Sequence, residues 1–550
     1  MALLRSAAAV SGMTLVSRVL GFVRDIMVAA ALGAGPVADA FVTAFQFPNL
    51  FRRLFAEGAF NAAFVPMFSR RLGAGDADHA RSFAEEALSL LLAWLVGLTA
   101  LALAAMPWVV YVLAPGFSAE IATRVVGWLT GAGLPASFDT VVGTPAAEDG
   151  KFALTVAYAR VLFPYLAFVS LVALYSGILN ATGRFAVAAA APILLNVFAI
   201  AALSFAAWSE VAAGDALVWG VLVSGLAQLL LVVRAAGKAG YALRLRAPRL
   251  TPDARRFLKL MVPGVIAGGI TQINIVVGGA IASFQDGARA FLYYADRVYQ
   301  FPLGLIGVAI GIVLLPDIAR RLGQGDETGA VRIQNRACEF AMLLTLPAAF
   351  ALATLSLPVV RTLFERGNFD AADAAATAAA LAVYAVGLPA FVLIKVFQPA
   401  YFAREDTRTP MRYAGWSVAV NIAVSLALFP VLGHVGIAAA TVVASALNAG
   451  LLLLTLTRRG GFSPDERLKR RLPRLLLASV LMAGAVGLAA LWPGDWGGLG
   501  GAGRAGALAA LVAAGVGLYA GLALLLRAAD VGELKASLKR RPRPPASPSA

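Results

Sequence analysis

The sequence predicts an all-α polytopic membrane protein of about fourteen transmembrane helices, in two six-helix lobes followed by a helix pair. Three observations predict it. The chain has 550 residues, of which 60% are hydrophobic and 14% charged, more apolar surface than one water-soluble core can hide. Apolar stretches of about twenty or more residues recur along its whole length, each long enough to cross about 30 Å of hydrocarbon. Lys and Arg gather in every second loop between those stretches, the pattern that sets topology in a membrane.

In chain order the first six spans are read at 10–33, 37–68, 83–113, 152–179, 185–208 and 216–233. The next six fall at 258–284, 290–315, 340–363, 374–402, 411–432 and 435–456, and a last pair at 472–492 and 505–526. One set of loops carries Arg70, Arg71, Arg81, Arg184, Arg244, Arg246, Arg320, Arg321, Arg404, Arg408, Arg467 and Arg471. The opposite set offers little: Arg124 and Lys151 among Glu120, Glu148 and Asp149, then Glu210 with Asp215, and Glu365 with Arg366. The positive-inside rule places the first set, and with it both termini, on the cytoplasmic side of the membrane. Arg5 precedes a long apolar run without a small-residue cleavage site, so the first span is expected to stay uncleaved. The expected division is 1–240 and 241–460 for the lobes, 461–530 for the added pair, and a basic, Pro-rich disordered tail at 531–550.

The formal charge of +16 does not point to nucleic acid, because the basic residues sit in short loops and no aromatic-interleaved basic domain exists. Cys338 is the only cysteine, which excludes an intramolecular disulfide or a cysteine metal cage. His79 and His434, the only histidines, lie near span ends and are expected to be loop residues rather than metal ligands.

The chain repeats itself. Gln46-Phe47-Pro48 recurs as Gln300-Phe301-Pro302, and Arg70-Arg71-Leu72-Gly73 with Gly75-Asp76 recurs as Arg320-Arg321-Leu322-Gly323 with Gly325-Asp326. Further on, Pro164, Thr182 and Asn196 share one register with Pro389, Thr407 and Asn421. An even number of spans per copy inserts both in the same orientation, related by an axis along the membrane normal, with a cavity between them and rocking as the natural motion.

Charges in the first two spans break the apolar pattern. Arg18 lies roughly 12 Å and Arg24 roughly 21 Å along the first helix, and Arg52 roughly 22 Å in from the other side. An arginine at mid-bilayer costs about 2.5–3.5 kcal/mol and cannot escape by losing its proton, so these side chains need a wet cavity or a partner. Asp25 and Glu57 are the available partners; Arg18 and Asp25 share a helix face with Ser17 and Arg24 nearby, and Arg53 and Glu57 are spaced to pair along one helix. A structural network of these groups is one reading. The excess of Arg18, Arg24, Arg52 and Arg53 over Asp25 and Glu57 favours another, a positive cavity whose guanidinium forks suit phosphate. Asn49 stands beside Arg52, while Asp39 is read as a helix-end residue on the edge of the charge network. In the second half Arg18 and Arg24 align near Gln272 and Gly278, and the charged group is Tyr293-Tyr294-Ala295-Asp296-Arg297, with Arg297 roughly 10 Å inside the outer face.

These residues carry a specific resemblance. The run from Ser17 to Asp25, Asp39-Ala40-Phe41, the run from Pro48 to Phe60, Tyr294-Ala295-Asp296-Arg297 and the stretch from Lys395 to Thr409 are similar to the MurJ/MviN lipid II flippase family. The resemblance runs from Met1 to about Leu456 and weakens in the last two spans. It implies the multidrug/oligosaccharidyl-lipid/polysaccharide exporter superfamily, alternating access, and a tail-binding groove formed by the extra helix pair. It implies flipping of an undecaprenyl-pyrophosphate-linked peptidoglycan precursor to the periplasmic leaflet. Lipid II and membrane lipids are then the partners, with cell-wall synthesis proteins beside them. By the same resemblance Arg18, Arg24, Arg52 and Arg297 are the cavity arginines, and Asp25, Asn49 and Glu57 their neighbours.

One departure concerns coupling. Some relatives bind sodium through membrane-embedded carboxylates in the second lobe, whereas the deep candidates here are Asn274, Asn421, Ser425 and Thr441. Membrane potential or a proton is at least as good a driver as sodium, and no cofactor or resident metal is expected. Three other functions compete. An exporter of another polyprenyl-linked saccharide fits the same cavity; a drug exporter needs buried carboxylates of the opposite sign. A membrane enzyme needs clustered acid, base or metal residues outside the membrane, and the longest outer loop, 114–151, has only scattered Glu120, Asp139, Glu148 and Asp149.

Overall fold

The computed structural model describes residues 2–53, 60–118, 120–124, 149–491, 496 and 498–530, so Glu57, most of the 114–151 loop and the 531–550 tail lie outside the described residues. The described residues are helical almost throughout, with no strand beyond an isolated bridge between Arg366 and Phe369. The helices are α1 Ala2–Leu32, α2 Pro36–Phe51, α3 Asn61–Gly73, α4 Ala77–Ala104, α5 Met106–Leu113, α6 Asp149–Leu162, α7 Tyr165–Ala181, α8 Phe185–Trp208 and α9 Ala213–Lys238. There follow α10 Pro252–Ala282, α11 Ala288–Gly323, α12 Glu327–Thr354, α13 Ser356–Phe364, α14 Ala371–Phe402, α15 Arg408–Leu432, α16 His434–Arg458, α17 Glu466–Ala490 and α18 Gly501–Leu525.

Among the described residues, ten helical segments are long and apolar enough to cross a membrane, which makes the chain a multi-pass, all-α membrane protein. The expected spans outside that set are the first, second, seventh and eighth. They include the helices bearing Arg18, Arg24, Asp25, Arg52 and Arg297. Two expected continuous spans, 83–113 and 340–363, are each broken into a long and a short helix. The breaks fall at Ala105 and Leu355, just ahead of Pro107 and Pro358, because a proline supplies no N–H and crowds the preceding turn. The two breaks occupy matching places in the repeat.

The repeated Arg-Arg-Leu-Gly segments also build the same turn twice. Asp76 N donates to Arg71 O (3.2 Å) and Gly75 N to Leu72 O (3.2 Å), while Asp326 N donates to Arg321 O (2.9 Å) and Gly325 N to Leu322 O (3.0 Å). This doubly bonded helix end requires a left-handed residue, supplied by Gly75 (φ 79°) and Gly325 (φ 74°). Asp76 and Asp326 then cap the next helix, accepting from His79 N (2.9 Å) and Gly329 N (2.8 Å).

The chain divides into two compact units. The first comprises Met1–Arg297, Leu363–Ala380 and Ala414–Ala444. Its core includes stacked Phe60, Phe64, Phe68 and Phe83, crossed edge-on by Phe257. The end of α1 is fixed here by a distant turn. Asn368 donates from its N–H to Ala30 O (2.9 Å) and from Nδ2 to Ala31 O (2.7 Å), satisfying carbonyls a helix end leaves open. Gly33 (φ 65°) and Gly367 (φ 59°) allow that approach, since a side-chain carbon on either would collide with backbone oxygen of the other segment. After α9 the chain runs extended along α4, where Glu85 accepts from Arg244 N (3.1 Å) and pairs with Arg246 (2.6 Å).

The second unit comprises Val298–Thr362, Leu381–Tyr413 and Ser445–Ala550. Phe397, Tyr401, Leu452, Leu456 and Phe462 pack together in its core, and Tyr401 Oη donates to Leu452 O (2.6 Å). Glu339 on α12 binds Arg336, Arg467 and Arg471, and Arg336 also binds Asp465 ahead of α17. The sequence reads Arg467 and Arg471 only as topology signals; here they also anchor α17 to α12. In α18 only Gly515 and Ala523 are buried, so this helix is peripheral.

Candidate functional site

All the groups of the candidate site belong to the first unit. Arg24 sits deep in the first span, on α1, where a guanidinium needs polar partners. Its Nε and Nη2 donate to Asp25 Oδ1 (3.0 and 2.7 Å), and its Nη1 donates to Asn196 Oδ1 on α8 (3.0 Å). Asn196 Nδ2 in turn donates to Ser17 O (2.8 Å), which fixes the amide's orientation. The Asn196 amide packs beside Gly21, where a side-chain carbon would stand in ordinary van der Waals contact at 3.6 Å.

Asp25 is shared. Tyr293 Oη on α11 donates to its Oδ1 (3.1 Å), and Arg297 Nε lies 3.7 Å from its Oδ2. The Arg297 guanidinium also stands 4.6 Å above the Tyr293 ring, a cation–π contact. One buried carboxylate, 5% exposed, thus serves two guanidiniums. Arg297 is 30% exposed and is the more open of the two arginines, against 13% for Arg24.

The other expected residues fall in three places. Asn49 and Arg52 form a pair on the end of α2: Arg52 Nε donates to Asn49 Oδ1 (3.2 Å), and Asn49 Nδ2 to Phe45 O (3.0 Å). Arg18 and Arg53 are exposed, and Glu57, the expected partner of Arg53, lies outside the described residues. Ser17 joins the network through its backbone carbonyl.

Asp39 is fully buried and builds a separate site. Its carboxylate caps the start of α11, accepting from Gly287 N (3.0 Å) and Ala290 N (3.0 Å), where the helix N-terminus favours negative charge. Lys151 Nζ donates to Asp39 Oδ2 (2.7 Å) and to Asp286 Oδ1 (3.0 Å), with Phe117 beneath it at 4.3 Å. Beside this clasp, Arg289 donates to Leu113 O (2.9 Å) and binds Gln46 of the repeated Gln-Phe-Pro motif.

Lys151, Asn196 and Tyr293 are the contributors that sequence reading does not single out as site residues. Lys151 reads as an outer-loop charge because both its partners are more than a hundred residues away. Asn196 had a usable signal: it is the one amide in the apolar span 185–208, and a buried amide there must bond something.

The cation-site candidates form a neutral counterpart. Asn421 Nδ2 donates to Asn274 Oδ1 (2.6 Å), and Thr441 donates to Ile437 O (3.0 Å). Asn421 Oδ1 and Ser425 Oγ are buried without a hydrogen-bond partner. Among the described residues no three His, Cys, Asp or Glu side chains are grouped to hold a metal ion.

The fold matches that of a solved structure titled lipid II flippase MurJ, inward closed conformation, with a TM-score of 0.75 and 22% identity over 96% of this chain and 99% of that one. A multidrug resistance MATE family transporter of the MOP superfamily, solved inward-facing, matches at a TM-score of 0.63 and 15% identity over 82% of this chain and 98% of that one. In sequence, a probable lipid II flippase MurJ of Rhizobium meliloti (strain 1021) is 46% identical over 98% of this chain and 97% of its own length. The lipid II flippase MurJ of Burkholderia cenocepacia is 34% identical over 95% of this chain and 96% of its own. The family model for lipid II flippase MurJ matches residues 28–498. With most of its length matched by that model and by relatives of this identity, the chain belongs to the MurJ lipid II flippase family.

Proposed function

We propose that this chain flips lipid II, the undecaprenyl-pyrophosphate-linked peptidoglycan precursor, from the cytoplasmic to the periplasmic leaflet by alternating access. As a member of the flippase family it is a transporter rather than an enzyme, with a role in cell-wall biogenesis. The observation that carries the mechanism is the sharing of Asp25 between Arg24 and Arg297. A diphosphate brings more negative charge than one carboxylate and more acceptor oxygens, so it competes with Asp25 for the same guanidinium forks. Asp25 holds the arginines in place while no substrate is bound, and Asn196 and Tyr293 aim them. Ser17, Asn49, Arg18 and Arg52 are proposed to extend the headgroup site, with Arg53, Asp39 and Glu57 in the surrounding charge network.

The proposed frame is two six-helix lobes, 1–240 and 241–460, with 461–530 carrying the polyprenyl tail. Both termini are placed in the cytoplasm of the inner membrane, with cell-wall synthesis proteins as neighbours. Transport is proposed to draw on membrane potential, a proton or sodium, with Asn274, Asn421, Ser425 and Thr441 as the residues that would face a cation.

The test is outer-leaflet appearance of lipid II in cells depleted of their native flippase and complemented with this chain. Wild-type chain restores it, and Arg24→Ala inserts in the membrane but does not. Normal lipid II export by Arg24→Ala, at matched protein levels, overturns the clamp. Export of a different polyprenyl-linked saccharide without lipid II overturns the substrate.

A further inference from the structure

Away from the arginine network, the antiparallel pair α8 and α9 forms an open groove of about 590 Å³. Its mouth is lined by Arg184, Arg234 and Lys238, and among the described residues no carboxylate lines it. The helical register explains the grouping. Arg234 and Lys238 continue a stripe on α9 that begins with Leu230 and Leu231, at spacings of three and four residues. Arg184 precedes the first residue of α8 and reaches across to the end of α9, donating from Nη2 to Lys238 O (3.2 Å) and from Nη1 to Ala235 O (3.5 Å). Those bonds hold the guanidinium at the rim.

Below the rim the walls turn apolar. Val187 and Leu194 face the groove from α8, Leu230 and Leu231 from α9. Leu194 lies about 15 Å along α8 from Arg184, and Leu230 about 12 Å along α9 from Lys238. Cations thus sit at one end and hydrocarbon runs down from them. A small inorganic anion would satisfy the rim and leave the walls unused. A second membrane helix would cover the walls and leave the cations without counter-charge. An amphiphile with a phosphate at one end and an acyl chain at the other uses both.

We propose that Arg184, Arg234 and Lys238, with the apolar groove beneath them, bind one anionic phospholipid of the surrounding bilayer. The site is separate from the Arg24–Asp25–Arg297 network and does not depend on what that network carries. The competing account is that the three cations only set topology and offset the negative end of the α9 dipole. It predicts no selectivity among lipids.

The experiment is native mass spectrometry of the full-length purified chain, titrated with phosphatidylglycerol or with phosphatidylcholine of identical acyl chains. Wild-type chain retains one phosphatidylglycerol at a concentration roughly tenfold below that needed for phosphatidylcholine. The triple variant Arg184→Gln, Arg234→Gln, Lys238→Gln loses that one retained lipid. Leu194→Trp, which fills the groove, loses it too with all three cations present, and Arg234→Lys keeps it. Glycerol phosphate, a headgroup without chains, does not displace it. The same number of tightly retained lipids in wild type and in a folded triple variant overturns the proposal, as does displacement by glycerol phosphate at matched concentration. If the triple variant does not fold, retention of the lipid by a folded Leu194→Trp overturns it instead.

Discussion

Asn196 and Asn421 occupy matching places in the internal repeat, and each reaches from its own helix to another, yet they do opposite things. Asn196 holds Arg24, which is bound to Asp25 and, through it, linked to Tyr293 and Arg297. Asn421 holds Asn274, which lies between the positions that align with Arg18 and Arg24 and carries no charge. One scaffold contact has been kept twice, and the charge placed on it once. The difference teaches that the repeat builds the helix frame, while a few substitutions on that frame set the charge it carries. In a medium of low dielectric those few substitutions dominate the electrostatics.

The comparison can be broken most severely at Arg24. Arg24→Ala removes the group that joins Asp25 to Asn196, and lipid II export in complemented cells is expected to fall by roughly 10- to 100-fold, the worth of a charge-assisted hydrogen-bond set. Next comes Asp25→Asn, which leaves two guanidiniums without their shared counter-charge. This variant is expected to unfold at lower temperature in detergent than wild type, and added pyrophosphate should recover more of the loss than it adds to wild type. Asn196→Leu keeps both charges but frees the Arg24 fork on one side, with an expected loss of roughly tenfold in export. The smallest effect belongs to the neutral partner: Asn421→Leu is expected to leave the affinity for lipid II within about twofold, because it unpairs one neutral amide, Asn274, and touches neither guanidinium. An Asn421→Leu loss of affinity as large as that of Asn196→Leu would erase the asymmetry.

Much of this could be read from residues alone, for identifiable reasons. Helices show in the sequence because each apolar run must span the bilayer by itself, and Arg18, Arg24, Asp25 and Arg52 stand out because charge is costly there. The repeated Arg-Arg-Leu-Gly segments were legible because the turn they form is local, complete within six residues. Contacts closed over distance were not. Lys151 gives no sign of its bond to Asp39, nor Asn368 of its hold on the end of α1, since both depend on helices brought together from far along the chain. Arg467 and Arg471 obey the loop-charge pattern and also bind Glu339, and the pattern alone does not separate those two roles.

The central claim is that the two guanidiniums sharing Asp25 receive a diphosphate headgroup. Its most direct test is the affinity of purified chain for lipid II, measured with inorganic pyrophosphate as competitor, in wild type, Arg24→Gln and Asn421→Leu. The account predicts that Arg24→Gln weakens lipid II binding by roughly tenfold or more and abolishes competition by pyrophosphate, while Asn421→Leu changes neither. Equal affinity and equal competition in wild type and Arg24→Gln would contradict it.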